Sequence, residues 1–564
     1  MSEYRALPGS VRMLALALVT AVALGIYSLI VQAQESHVAV APPKPKSVLS
    51  SYGPAAKTAV HAVPAGAAPA KPVASPAPVA QSSARHAALP KRHKDTEVQP
   101  ASEKPPTETA VAAAPEPPLE GTTGVRVSTD TPPPPAEPLV ISDPEVVALS
   151  PSTAQITFHT NLPATTRASY GIDAPAVWTA SEPAGSLDHQ VVLTGLTFST
   201  TYQVWLHALD EYNQTQTAVV SLTTTPMSST TIATTASDRI LVDGDPFFPL
   251  AVWAQCSDGY DSNVADGINL FMGDGCGKER QMPARLAGRA FSIVDSKHVN
   301  VAGRGVIGWF FPDEWDAFLE SSVTRTDLQK SLPDGQPGRI SFLTLTNHFY
   351  SHAAPLPQGR GMYPALYSLA DVVGFDLYPL QVWCKPAFGD VFDAQAELND
   401  ATGGKPTFQW IEVAPMEQTC GRDRSLDPNA ATVRAETWLA VAGGADGIGY
   451  FPNRWKRDIG NGIAQTNREL QELAPVLLSP RLPAAADAPA MKVYARSYNG
   501  ALYVIAVNTS TTETVQTRIA VDGIAGRSAT VLGNGTVVGS DDTGFTDTFA
   551  PLAAKVFVIP PQGW

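Results

Sequence analysis

Residues 405–415 read KPTFQWIEVAP, in which the uncharged strand-like run from Pro406 closes on one acid, Glu412, just where a loop begins. Runs of the same kind recur before and after it: FFPLAVWAQ (247–255), GINLFMG (267–273), RAFSIVDS (289–296), GVIGWFF (305–311), ISFLTLTNHF (340–349), VVGFDLYPL (372–380) and DGIGYFPNRW (446–455). Near-continuous apolar strands separated by stretches long enough for helices describe a parallel sheet whose outer face is covered. Eight of them between residues 238 and 482 predict a closed (β/α)8 TIM barrel. AATVRAETWLAVAGG and GIAQTNRELQELAPVLL supply helical apolar spacing in the last two intervals. The interval after the third run is the shortest joint of the pattern. A doubly wound open sheet is the competing architecture, but no glycine fingerprint of a nucleotide site joins a strand to a helix, and GDGCG at 273–277 has the wrong spacing.

The flanks have other rhythms, so the chain reads as multidomain. In 139–226, AQITFHTN, TRASYGI, HQVVLTGL, TYQVWLHALD and AVVSLTTTP alternate between turn residues, the pattern of a small antiparallel sandwich. Leu193-Thr194-Gly195-Leu196 followed by Thr201-Tyr202 resembles the tyrosine corner of fibronectin type III domains, which implies a spacer role here. From 488 to 564, MKVYARSYNG, ALYVIAVNTS, VQTRIAVDG, SATVLGNG and KVFVIPP predict a second β-sandwich supporting the barrel.

Residues 35–138 are rich in Pro, Ala, Ser, Thr and Lys, too poor in apolar surface to offset the entropy of ordering, and predict a disordered, partly polyproline tether. Ahead of it, Arg5 and Arg12 precede an apolar stretch from Met13 to Val31, with Val31-Gln32-Ala33 after it. Within 1–34 the readings are a cleaved signal peptide or a retained anchor with its basic end in the cytoplasm. A length near the roughly 20 residues that cross a bilayer favours the anchor. Both export the remainder, either anchored in the inner membrane and facing the periplasm or cell exterior, or secreted. The net charge of −14 lies outside the tether, where ten Lys/Arg offset nine Asp/Glu, so nucleic acid is excluded as a partner.

In a barrel of this class the chemistry gathers at the C-terminal strand ends. Those ends hold Gln255, Asp274, Asp295, Asp313, Glu314, Asn347, His348, Asp376, Tyr378, Glu412 and Asn453, among the aromatics Trp253, Trp309, Trp315, Trp383, Trp410, Tyr450 and Trp455. Carboxylates set among flat rings suit sugars, whose apolar faces stack while their hydroxyls hydrogen-bond. Glu314, in GWFFPDEWD past the fourth run, and Glu412, ending the seventh, belong to opposing strands and can flank one glycosidic bond.

On these residues the segment resembles the retaining (β/α)8 glycoside hydrolases of the clan with glutamates on strands four and seven (clan A-like). LVDGDPFFPLAVW is similar to that clan's entry hairpin and first strand, ADVVGFDLYPL to its sixth strand, GGKPTFQWIE to its seventh, and RAETWLAVAGGADGIGYF to its last helix and strand. The resemblance implies Glu314 as acid/base and Glu412 as nucleophile, about 5–5.5 Å apart. It also implies a Tyr378 that orients the nucleophile. From their strand-end places, Asp313, Trp253, Trp309, His348, Asp376, Tyr378, Trp410, Tyr450 and Trp455 are the expected contacts of a polysaccharide or oligosaccharide substrate, with no cofactor and no metal. Asp313 stands where many members carry Asn; Asp313 and Asp316 read otherwise as caps of a following helix.

The rival reading is a non-catalytic glycan-binding or envelope scaffold protein with a degenerate barrel. His348 and His352 have helical metal spacing without the glutamate of a zinc protease. Cys256, Cys276, Cys384 and Cys420 fall in mouth loops, and in an oxidising compartment predict bridges 256–276 and 384–420, a zinc site of all four cysteines being the alternative.

Overall fold

The computed structural model describes residues 137–236, 238–416, 420 and 423–563. The expected anchor or signal peptide (1–34), and all but the end of the expected tether, lie outside the described residues. Among the described residues no helix is long and apolar enough to cross a membrane.

The first β region consists of β1 (Ile141–Leu149), β2 (Ala154–Gly171), β3 (Val177–Trp178), β4 (Glu182–Leu193), β5 (Thr201–Asp210) and β6 (Thr215–Thr223). All pairing is antiparallel, and the long β2 touches β1, β3, β4 and β5 along its length. Alternation on β5 turns Tyr202, Val204, Leu206 and Ala208 inward. The Tyr202 hydroxyl accepts the Thr197 N–H at 3.0 Å, fastening the turn before the strand. An entry sheet of β7 (Ala233–Ala236), β8 (Arg239–Val242) and β9 (Asp245–Phe247) follows.

The eight apolar runs become β10 (Leu250–Trp253), β11 (Leu270–Met272), β12 (Phe291–Asp295), β13 (Val306–Phe310), β14 (Ile340–Leu345), β15 (Val372–Asp376), β16 (Thr407–Glu412) and β17 (Ile448–Phe451). They pair in parallel, in chain order, and β17 returns to β10, so the sheet is a closed barrel. Large rings fill its interior only because glycines face them. A β-carbon on Gly374 would stand 2.3 Å from the Phe408 ring, and one on Gly449 2.2 Å from Trp410.

The helix layer is uneven. It has α1 (Tyr260–Ala265), α2 (Met282–Leu286), α3 (Arg325–Gln329), α4 (Tyr363–Leu369), α5 (Phe388–Thr402), α6 (Ala430–Gly443) and α7 (Arg457–Leu477). After β12 there is only a three-residue 3-10 turn, Ser296–His298, because the ten-residue interval must also return the chain to the base of β13. The (β/α)8 pattern is therefore short by one helix there.

Beyond the barrel, β18 (Arg481–Leu482), β20 (Met491–Tyr498), β21 (Ala501–Asn508), β23 (Ala529–Val531), β24 (Val537–Val538) and β26 (Ala554–Ile559) form one sheet. The second sheet holds β19 (Ala484–Ala486), β22 (Val515–Val521) and β25 (Gly544–Phe549). Between them Val504, Ile519, Phe545, Phe549 and Phe557 make a core of their own. The three parts are fastened together. Glu472 on α7 accepts the Ile172 and Asp173 N–H groups at 2.6 and 3.2 Å, and the Tyr503 hydroxyl of β21 accepts the Trp178 N–H at 3.2 Å.

Candidate active site

At the C-terminal ends of the strands, inward-facing residues build an aromatic floor. Trp253 and Phe310, each the last residue of its strand, meet at 5.1 Å between ring centroids, and Trp253 meets Trp410 at 5.7 Å. Tyr378, two residues past β15, stacks on Phe451 at 5.9 Å. The Trp410 indole N–H donates to Thr344 Oγ1 at 3.1 Å, which fixes the ring.

Asp313, Glu314 and Asp376 stand beside this floor. Glu314 follows β13 in the left-handed backbone region (φ 46°), a conformation that costs a non-glycine residue energy and is held by its surroundings. Its carboxyl hydrogen-bonds that of Asp376, the last residue of β15. Asp376 is only 8 % exposed, and its Oδ1 has no partner. Burial and the nearby Glu314, Asp313 and Asp316 push the Asp376 carboxyl well above the usual range. Glu314 is raised chiefly by burial, against which the Asp376 hydrogen bond and His348 act. Burial, then Glu314 and Asp316, raise Asp313 to about 7. Two carboxyls in hydrogen-bond contact hold a proton between them, so Glu314 and Asp376 titrate as a pair.

Asp316 is not a helix cap. It is fully buried and accepts the Thr346 N–H (3.0 Å), the Thr346 hydroxyl (2.5 Å) and the Tyr363 hydroxyl (2.9 Å), clasping the loop after β13 to the loop after β14 and to α4. His348 lies on the neighbouring loop, its Nδ1 bonded to the Ala354 carbonyl oxygen at 2.6 Å. His352 pairs instead with Asp390, so the two histidines serve different partners.

Glu412, expected as the nucleophile opposite Glu314, is secluded. Its side chain is 0 % exposed. Its two oxygens accept the Leu380 and Gln381 N–H groups at 2.7 and 2.8 Å, beneath the loop that follows β15. Behind it lies the buried Glu436 of α6, with which its carboxyl interacts, and burial raises Glu412 to about 7. The same loop is tied to the next by Gln381, which accepts the Met416 N–H at 2.7 Å and donates to the Leu426 carbonyl at 2.6 Å.

Three aromatics also face elsewhere than expected. Trp309 packs outward against Phe311 (4.9 Å), leaving the inward place to Phe310. Tyr450 is buried in the outer layer, its hydroxyl donating to Asn467 Oδ1 at 2.7 Å. Trp455 donates to Asp266 Oδ2 at 2.8 Å on the outer side of the rim. Several strand-end polar groups are consumed in building that rim: Gln255 bonds Asn263 and Asn453, and Asp274 accepts the Cys276 and Lys278 N–H groups. Sequence reasoning missed Phe310, Phe451, Gln381 and Glu436. Of these, Phe310 and Phe451, each closing its strand, carried a positional signal.

Both bridges, Cys256–Cys276 and Cys384–Cys420, are formed, which removes the zinc alternative. Among the described residues no group of His, Cys, Asp and Glu is disposed to hold a metal ion.

No family profile and no curated protein matches this chain. Among solved structures it is similar to an α-amylase from Geobacillus thermoleovorans (10% identity, 56% of this chain and 98% of that one, TM-score 0.38). It is similar also to a GH30 endoxylanase from Clostridium papyrosolvens (12%, 58% and 97%, TM-score 0.35). A GH2 β-galacturonidase from Eisenbergiella tayi gives 10%, 59% and 72%, with TM-score 0.32. All three are glycoside hydrolases, but similarity of this degree carries no argument about what this chain does.

Proposed function

We propose that the chain is an exported glycoside hydrolase acting on a polysaccharide or oligosaccharide, with Glu314 as its proton donor. The observation that carries the reading is the Glu314–Asp376 pair at the edge of the aromatic floor. A sugar ring laid on Trp253, the partly exposed ring of the floor, exposes its glycosidic oxygen to the partly exposed Glu314 carboxyl. Burial of Glu314 and Asp376 favours the protonated form of the pair. Transfer of that proton to the bridging oxygen as the C1–O bond breaks releases the leaving sugar as an alcohol. The carboxylate left behind faces the developing oxocarbenium ion, and water supplies the hydroxyl of the new reducing end.

Retention through Glu412, the course implied by resemblance, requires Leu380 and Gln381 to release its oxygens. A mechanism-based fluorosugar that labels Glu412, with retained product configuration by NMR, supports it; an inverted product rejects it. The seclusion of Glu412 favours the second reading, a barrel that binds glycans without cleaving them. Screening the full chain and its Glu314→Gln and Asp376→Asn variants against a glycan panel decides between the two. The hydrolase reading expects each variant to lose about 10²–10⁴-fold in turnover; no cleavage by the native chain leaves the binding reading.

We also read 139–226 as a fibronectin type III-like spacer, which the Tyr202–Thr197 bond supports, and the N-terminal segment as a membrane anchor. Two disulfides suit the oxidising compartment that export would provide.

A further inference from the structure

The candidate site gathers four carboxyls with no Lys or Arg of the described chain among them. Asp313, Glu314, Asp316 and Asp376 converge from the ends of β13 and β15, yet no Lys or Arg forms an ion pair with any of them among the described residues. Asp316 is satisfied by Thr346 and Tyr363 and serves the scaffold. Glu314 and Asp376 hold each other, Asp313 is met only by the Glu314 backbone, and Asp376 Oδ1 remains a buried atom without a partner. Buried carboxylates without a cation are costly, and a buried acceptor without a donor adds to that cost. Folds retain such a group where a ligand completes it.

The group that would complete the site can be specified. It must bring positive charge, several donors and a size that fits over the aromatic floor. A neutral hydroxyl supplies one donor and no charge, and a uronic acid would be repelled. An ammonium group supplies three donors and a full charge, and ring faces such as those of Trp253 and Tyr378 attract it further.

We propose that the glycan taken by this mouth carries free amino groups, a hexosamine chain without N-acetyl substituents, whose ammonium sits against Asp313, Glu314 and Asp376. The inference rests on the glycan reading of the site given above. Shared protons offset the carboxylate charge where no cation is bound, and the ammonium takes their place.

The test uses the full chain and two series of oligosaccharides of equal length, one of glucosamine and one of galactosamine. Each is compared by titration calorimetry with its fully N-acetylated form and its neutral 2-hydroxyl homologue, and each is followed for cleavage. In at least one series the amine form should bind tenfold or more tighter than both homologues, and Asp376→Asn should cut that preference below threefold. Equal or weaker binding of the amine form in both series overturns the proposal, as does a preference unchanged in Asp376→Asn. Asp313→Asn replaces that variant if its near-ultraviolet circular dichroism shows a lost fold. Cleavage of neutral or N-acetylated glycans without amine preference sinks this inference alone. Amine preference without any turnover sinks the hydrolase reading and leaves this one standing.

Discussion

Glu412 accepts two backbone N–H groups in a space that excludes water and contains a second carboxyl, Glu436. Replacing it with Gln exchanges one acceptor oxygen for an amide that confronts a buried N–H. Leaving that donor unmet should destabilise the fold by about 1–3 kcal/mol, measurable by urea unfolding. Equal stability of Glu412→Gln would mean that the loop after β15 is not held by this contact. The position of Glu412 at a strand end was legible, since an acid closes an apolar run. Its direction was not. Phe408 and Trp410 alternate into the barrel and Glu412 shares their parity, but its oxygens are captured by amides some thirty residues earlier in the chain. In VIGWF every residue is apolar, so nothing local told Trp309 from Phe310, and only the closed barrel decided which faced in.

The strands themselves were readable because burial on both faces makes each one apolar throughout, and all eight runs contain the strands they predict. Helices were less so. Of the three long ones, those after β16 and β17 announced themselves by periodicity, while α1 to α4 are five to seven residues long and offer less than two turns of pattern. What the runs concealed was their dependence on glycine. Gly374 and Gly449 stand in register with Phe408 and Trp410, so strand pairing and interior packing are fixed together. Gly374→Ala would drive a methyl to 2.3 Å from the Phe408 ring. The ring must move, at a cost of about 1–3 kcal/mol. A lowered melting temperature should appear, and Gly374→Ala with Phe408→Leu should recover part of it; no change in the single variant would place Phe408 elsewhere.

Across the whole molecule, Asp313, Glu412 and Asp446 are each raised to about 7, with burial the leading cause. Their unfolded values lie near 4. For an acid raised on folding, the stabilisation is complete below the unfolded value and is lost as pH climbs through the folded one. These groups therefore favour the native state at pH 5 over pH 8. The drop in melting temperature between those values should shrink in Asp313→Asn; an unchanged drop would place the titration elsewhere.

Both covalent bridges join neighbours, the loops after β10 and β11 and the loops after β15 and β16. They pin two corners of the entrance. The arc between, from the end of β12 to the end of β14, has no such staple and presents Phe318 with 75 % of its surface in solvent. Loops on that arc can therefore shift without breaking a covalent bond, whereas the two stapled corners cannot part.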